Sequence, residues 1–175
     1  MIKALLFDLG GVLLRLGDFA PVAHWAALLS MPIAALVERS FAHPAAHAAI
    51  LGEISAAQYW QAVVAELGLP AEDATALSAD FAALANWDTA ALACLAGLKS
   101  RYKLGVITGA MSDARTMIEA RVGQGFFDVI VVTAEERLAK PDPALYRAAA
   151  DRLPCHHTGS SHSSTINRVY QSRST

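Results

Sequence analysis

The stretch LLFDLGGVLL, residues 5–14, sets one carboxylate, Asp8, into an otherwise apolar run and follows it with Gly10 and Gly11. An ionised carboxylate taken out of water without a partner is costly, so Asp8 belongs where the buried run stops, at a strand end. The alternative is an Asp that only caps the following loop. Two further polar residues stand at or beyond apolar runs: Thr108 within GVITGA and Lys140 within LAKPDP. Taken singly, Thr108 reads as an ordinary strand-end hydroxyl and Lys140 as a surface lysine before a proline turn. Together, a carboxylate, a hydroxyl and an ammonium at one sheet edge suit phosphoryl transfer through an aspartyl intermediate. Asp8 would attack phosphorus, which splits one difficult displacement into two easier ones. Thr108 and the Gly109 amide would bind phosphoryl oxygens, while Lys140 offsets the charge that two anions bring together.

Such residues need a scaffold that ends several strands side by side. Residues 2–7, IKALLF, have the length and near-continuous apolarity of a strand covered on both faces, and Gly10 with Gly11 permits a turn that most residues resist. YKLGVITG (102–109) and FDVIVVT (127–133) read as a second and a third strand. TAALACLAGLKS, SDARTMIEARVG ending near Gly123, and DPALYRAAADRL opened by Pro141 and Pro143 read as helices. Strands alternating with helices predict an α/β fold whose parallel sheet is wound by right-handed crossovers, with its chemistry at the carboxyl ends of the strands.

From Asp18 to about Trp87 the chain is rich in Ala and Leu at helical spacing, broken at Pro32, Pro44, LGE (51–53) and LGLP (67–70). This predicts four or five short helices. Ser55 is placed as an N-cap, and Tyr59, Val63 and Leu67 fall four residues apart on one face as a packing stripe. The block is far longer than a crossover needs, which marks it as an inserted cap.

A chain of 175 residues can bury a substantial core, as one domain or as a small core with an insertion. A net charge of −2 and a pI near 6.3 carry no general basic character, which argues against nucleic acid as a partner. Cys94 and Cys155 form no CxxC pair and no metal-ligand spacing, so reduced thiols are expected. Residues 4–14 are too short to span a bilayer and carry Asp8, and no small-residue cleavage signal follows. The expectation is a soluble, cytoplasmic protein with no membrane partner.

After Leu153 the character changes. PCHHTGSSHSSTINRVYQSRST contains no Ala, Asp or Glu, but six Ser, three Thr and three His. Such a segment buries too little apolar surface to offset its ordering entropy, so disorder is expected over 154–175. His156, His157 and His162 have no acid or CxxC to complete a metal site, and are read as solvated loop histidines.

FDLGGVL, VITGA and LAKPDPALYRAA, in this order and with a helical block between the first two, resemble motifs I, II and III of the haloacid dehalogenase-like (HAD) hydrolase superfamily, over about residues 1–153. The resemblance implies a Rossmann-like three-layer core over 1–17 and 88–153, with an α-helical cap of the first type over 18–87. It makes Asp8 the nucleophile and a magnesium ligand, the carbonyl of Gly10 a second ligand, Thr108 the phosphate-binding hydroxyl and Lys140 the charge-balancing cation. The implied activity is a magnesium-dependent phosphatase of small phosphorylated metabolites.

Two departures from the family pattern shape the expectations. The commonest motif I carries a second acid two residues after the nucleophile, where this chain has Gly10. That acid protonates the leaving oxygen and later activates water, a contribution of roughly 10²- to 10⁴-fold. Its absence favours good leaving groups, such as acyl or aryl phosphates, or a proton donor from the cap, for which His24 and His43 are candidates as titratable groups. Family members also continue with a fourth strand and an acidic motif IV, whose Asp completes the magnesium site. Here the Ser, Thr and His segment stands instead, so weak or absent magnesium binding is expected. An unpaired edge on strand one, open to self-association, is expected as well. The change of composition predicts that 154–175 is not the original ending of the chain. Two other readings stay open: a metal-free 2-haloacid dehalogenase, with Arg15 as the carboxylate-binding candidate, and a non-catalytic remnant or interaction module.

Overall fold

The computed structural model describes residues 2–153, so the expectations for 154–175 lie outside the described residues. The chain opens with β1 (Ala4–Asp8), whose last residue is the carboxylate, and turns into the short β2 (Leu14–Leu16). A 3-10 turn (Ala20–Val22) leads into α1 (Ala23–Leu28), α2 (Ile33–Phe41), α3 (Ala46–Ile50), α4 (Ala56–Leu67) and α5 (Asp73–Ala82). Then come β3 (Ala85–Trp87), α6 (Thr89–Leu98), β4 (Lys103–Thr108) and α7 (Ala114–Val122). β5 (Val129–Val132), α8 (Thr133–Glu136) and α9 (Pro143–Arg152) follow. The third strand is shorter than its apolar run: Thr133, expected as its last residue, opens α8 instead.

β1, β4 and β5 form one parallel sheet in the order β1-β4-β5, with β4 in the middle. Helices cover both faces, giving an α/β, Rossmann-like three-layer core. Leu95 of α6 with Ala114 and Ile118 of α7 pack on one face together with Leu5 and Phe7 of β1. Leu145 and Ala149 of α9 pack on the other, with Ala4 and Leu6 beside them. The alternation follows from strand geometry, since successive side chains point to opposite faces. Gly105 lets the strands close up: a Cβ there would lie 2.5 Å from Leu6 Cδ2 and 2.7 Å from Val129 Cγ1. Among the described residues β1 is an edge strand, and all five of its residues are only half-buried.

β2 and β3 pair antiparallel, Leu14 with Trp87 and Leu16 with Ala85, and the sequence reading did not anticipate them. The five helices between them share a separate buried cluster that includes Trp25, Leu36, Tyr59, Val63 and Leu77. Fully burying a side chain of the Leu36 or Leu77 kind contributes about 1.5–3 kcal/mol. α4 starts at Ser55 with a capping box: the Ser55 hydroxyl accepts from the Gln58 amide at 3.2 Å, and Gln58 Oε1 accepts from the Ser55 amide at 2.8 Å. Gly68, left-handed at φ 71°, ends that helix. Among the described residues no single helix is long and apolar enough to cross a membrane.

Candidate active site

The parallel ladder sets the positions of the polar residues. Asp8 is registered with Ile107, and Thr108 with Val132, so the carboxyl ends of all three strands stop within one residue of each other. Asp8 and Thr108 therefore leave adjacent strands, which run about 4.8 Å apart, at the same edge of the sheet. Beyond Asp8 the chain folds over itself: Leu13 and Leu14 amides donate to the Leu9 carbonyl at 2.9 Å, and Gly11 takes φ 77°. Leu9 and Leu13 are buried, which anchors this loop to the core and leaves Gly10 on top.

Lys140 arrives from the opposite side of the sheet. The turn before α9 is closed by the Asp142 amide donating to the Ala139 carbonyl at 2.9 Å, and Asp142 Oδ1 caps α9 by accepting the Ala144 amide at 2.8 Å. α9 is docked by Leu145 and Ala149, so the lysine is carried over the strand ends. Its Nζ lies 2.8 Å from Asp8 Oδ1, with the Asp8 side chain 35% and the Lys140 side chain 27% exposed. Asp8 Oδ1 also accepts the Leu9 amide at 2.7 Å. Asp8 thus caps its loop and pairs with the lysine through one oxygen, leaving Oδ2 for other chemistry.

Thr108, the last residue of β4, is 3% exposed. A Cβ built on Gly10 or on Gly109 would meet nothing within 4 Å, so the space over the strand ends is open on both glycines. The assembly is a carboxylate whose recorded partners sit on one oxygen, an ammonium beside it, the Thr108 hydroxyl on the next strand and unobstructed backbone, a set that suits an anion.

The other candidates are placed elsewhere. His24 Nδ1 lies 3.2 Å from the Pro21 carbonyl and its Nε2 3.7 Å from Asp80, while His43 takes the Ala45 amide on Nδ1 at 3.0 Å and faces Glu66 with Nε2 at 3.0 Å. Both are engaged within the helical block, and neither pairs with Asp8, Thr108 or Lys140. Arg15 is exposed on β2, opposite Asn86.

For magnesium, the type of donor fits and the number is small. The Asp8 carboxylate and the Gly10 carbonyl offer hard oxygens, and a cation that keeps several waters and binds substrate phosphate can be held by one carboxylate. Among the described residues no group of three His, Cys, Asp or Glu side chains gathers to hold a metal.

The sequence reading missed the supports of the loop after β4. Thr133 bonds both backbone groups of Ala110, and Ser112 Oγ accepts the Ala56 amide of α4 at 3.3 Å. α8 itself is pinned by two arginine forks. Arg115 reaches Glu135 through Nε at 2.9 Å and Nη2 at 2.6 Å, and the same Nη2 donates to the Ile130 carbonyl at 2.8 Å. Arg152 grips Glu136 in the same bidentate way. The Glu135 hydrogen bond, acting against desolvation, raises the Arg115 guanidinium further above its ordinary value.

A strand-ended carboxylate over a doubly covered parallel sheet defines a hydrolase-like α/β site, and comparison with known proteins gives its family. The family model for haloacid dehalogenase-like hydrolase matches residues 2–159. The chain belongs to that family of hydrolases. A comparison with curated proteins found no match. Among solved structures, the chain is similar to a HAD family enzyme of Bacteroides thetaiotaomicron in complex with magnesium and inorganic phosphate: TM-score 0.68, 19% identity, covering 86% of this chain and 78% of that one. It is also similar to a HAD phosphatase from Thermococcus onnurineus, with TM-score 0.53, 19% identity, and 86% and 71% of the two chains covered. L-2-haloacid dehalogenase from Xanthobacter autotrophicus, with chloropropionic acid covalently bound, matches with TM-score 0.59 and 20% identity, over 89% of this chain and 66% of that one. At these identities the likeness is one of fold, and it spans phosphatase and dehalogenase alike.

Proposed function

We propose that the chain is a magnesium-dependent phosphatase of small phosphorylated metabolites that works through an aspartyl phosphate on Asp8. The observation that carries the reading is the 2.8 Å contact of Lys140 Nζ with Asp8 Oδ1, which leaves Oδ2 free at the open end of the sheet. A phosphate monoester placed over Gly10 and Gly109 sets its phosphoryl oxygens against the Thr108 hydroxyl and the Gly109 amide. Oδ2 attacks phosphorus, the ester oxygen leaves with its electron pair, and water then attacks the phosphoryl group to restore the carboxylate and release inorganic phosphate. Lys140 stays beside both anions and offsets their repulsion. Asp8 and the Gly10 carbonyl would hold magnesium, which would supply further neutralisation of phosphoryl charge. With Gly10 where an acid could stand, the leaving oxygen departs unprotonated, which selects aryl and acyl phosphates.

The test is phosphate release from an aryl phosphate with magnesium. Activity in the wild type and none in Asp8→Asn supports the reading; equal release in both sinks it. Chloride release from a 2-haloacid, measured beside it without metal, tests the dehalogenase reading, in which Asp8 displaces halide and Arg15 binds the carboxylate. A chain inert in both assays supports the non-catalytic reading.

A further inference from the structure

Thr133 is completely buried, and its single hydroxyl serves both backbone groups of one residue on the neighbouring loop. Oγ1 accepts the Ala110 amide at 3.0 Å and donates to the Ala110 carbonyl at 3.2 Å. The β4–β5 ladder ends at Thr108 with Val132, and the chain after β5 turns away into α8. At that point the side chain takes over the pairing that a further strand residue would have made. Its reach ends two residues after Thr108 and one after Gly109, the two positions that receive the phosphoryl oxygens in the function proposed above.

Two other contacts hold the same loop and make Thr133 its decisive tether. Ser112 Oγ accepts the Ala56 amide, and Met111 packs into the helical block, so the far end of the loop follows that block. Thr133 instead belongs to α8, whose glutamates are gripped by Arg115 and Arg152, and so to the rigid core. Gly109, between the end of β4 and Ala110, has no side chain to restrict its dihedrals. Among the described residues only Thr133 bonds the Ala110 amide and carbonyl, so without it Ala110 is held by packing against the core alone and the Gly109 amide before it loses its hydrogen-bonded anchor.

We propose that Thr133 is a positioning residue for phosphoryl transfer: by clamping Ala110 it fixes the Gly109 amide and the Thr108 hydroxyl against the phosphoryl oxygens at the moment Asp8 attacks. This rests on the phosphatase reading. A group misplaced by about 1 Å in such a site loses roughly 10²-fold in rate, so the clamp is worth about 10- to 100-fold in kcat.

The experiment compares the full chain with Thr133→Val, which keeps the shape and removes the hydroxyl, and with Thr133→Ser, which keeps the hydroxyl and removes the methyl. Three readouts are taken on folded protein: melting temperature, kcat and KM for an aryl phosphate, and the affinity for inorganic phosphate by calorimetry. The expected pattern is a kcat in Thr133→Val lower by about 10- to 100-fold, KM changed by less than about threefold, weaker phosphate binding, and recovery to within about threefold of wild type in Thr133→Ser, although Ser also melts earlier. Equal melting losses in Val and Ser with kcat and phosphate affinity intact in both would overturn the proposal, because the hydroxyl would then only hold the fold. If Thr133→Val does not fold, a Thr133→Ser variant of wild-type melting temperature but depressed kcat overturns it equally, whereas retained kcat and affinity support it. A wild type that binds phosphate without turnover fails the phosphatase reading alone, and the affinity comparison then decides on Thr133. A wild type that neither turns over nor binds phosphate overturns both.

Discussion

Lys140 Nζ and the Leu9 amide converge on the same oxygen of Asp8, at 2.8 Å and 2.7 Å. That division of labour has a kinetic consequence. The held oxygen fixes the rotation of the carboxylate, and in the proposed mechanism the other oxygen keeps its lone pairs for the incoming phosphorus. In that mechanism, removing the ammonium takes away the side-chain cation that offsets the repulsion between Asp8 and the phosphoryl group. Lys140→Met is expected to lower kcat for an aryl phosphate by about 10²- to 10³-fold, the scale of losing one preorganised charge-stabilising donor. Lys140→Arg should recover part of it. Steady-state phosphate release decides, and a loss in Lys140→Met smaller than about threefold would take the lysine out of the mechanism.

Gly10 offers the opposite experiment, adding a group rather than removing one. A Cβ there meets nothing within 4 Å, and Gly10 is not among the left-handed glycines, so Gly10→Asp introduces an acid without backbone strain. The new carboxyl stands two residues from Asp8, the proposed nucleophile, on the open side of the strand ends. It is expected to raise turnover of alkyl phosphates, whose oxygen needs a proton to leave, by about 10²-fold relative to the gain on aryl phosphates. The ratio of the two rates is the readout, and an unchanged ratio counts against the leaving-group argument.

Acid stability is expected to depend on Asp128. Desolvation, the largest single influence, raises its carboxyl, but the Leu104 amide at 2.9 Å and Lys103 Nζ at 2.9 Å together hold it below the ordinary 3.8. A carboxyl lowered by folding contributes stability that is fully present above its unfolded value and is lost as pH falls through the folded one. Asp128→Ala should therefore be less stable than wild type by about 1–3 kcal/mol near neutrality, and the gap should narrow below pH 3.8. Urea unfolding from neutral to strongly acid pH measures it.

At the alkaline end the helical block should fail first. Burial, and then the nearby Glu66 charge, push the Tyr59 hydroxyl up to about 12, while it donates to the Ser40 carbonyl. Protonated Tyr59 is favoured by folding, so its contribution is intact below its ordinary value of 10.0 and is lost as pH rises towards 12. Melting temperature should drop in that window together with the ultraviolet appearance of tyrosinate. In Tyr59→Phe, less stable at neutral pH because the Ser40 carbonyl is left unpaired, that part of the drop should vanish.

What the sequence discloses and what it hides divide along a physical line. β1, β4 and β5 are legible because strands covered on both faces become continuous apolar runs, and Asp8 is legible because a charge in such a run marks its end. α4 is legible because Ser55 and Gln58 form a local capping box. β2 and β3 are three residues each and carry the exposed Arg15 and Asn86, so no periodicity announces them. Thr133 reads as the last residue of an apolar run. Its bond to Ala110, 23 residues away, is a tertiary contact with no local signal. Lys140 could be placed near the strand ends from its proline turn, but its pairing with Asp8 Oδ1 emerges only once α9 is docked.

The same holds for the junction between helical block and core, which turns on Gly52. This residue follows α3 at φ 69°, and a Cβ on it would sit 2.0 Å from the Ala134 carbonyl oxygen, one residue after Thr133. The obstacle is backbone of α8, itself locked by the Arg115 and Arg152 forks, so it cannot yield as a flexible side chain would. Two penalties therefore add in Gly52→Ala: a left-handed conformation that side chains rarely adopt, and a clash that must push α3 off the core. The expected loss is about 3 kcal/mol, each penalty lying in the range of 1–3. Because α8 also carries the Thr133 clamp, relief of the clash by displacing α8 instead would loosen Ala110 and lower kcat in the folded fraction. Hydrogen exchange separates the two routes. Faster exchange confined to α3 and α4 means that the block lifted away, whereas loss of protection at the Ala110 amide means that the core gave first.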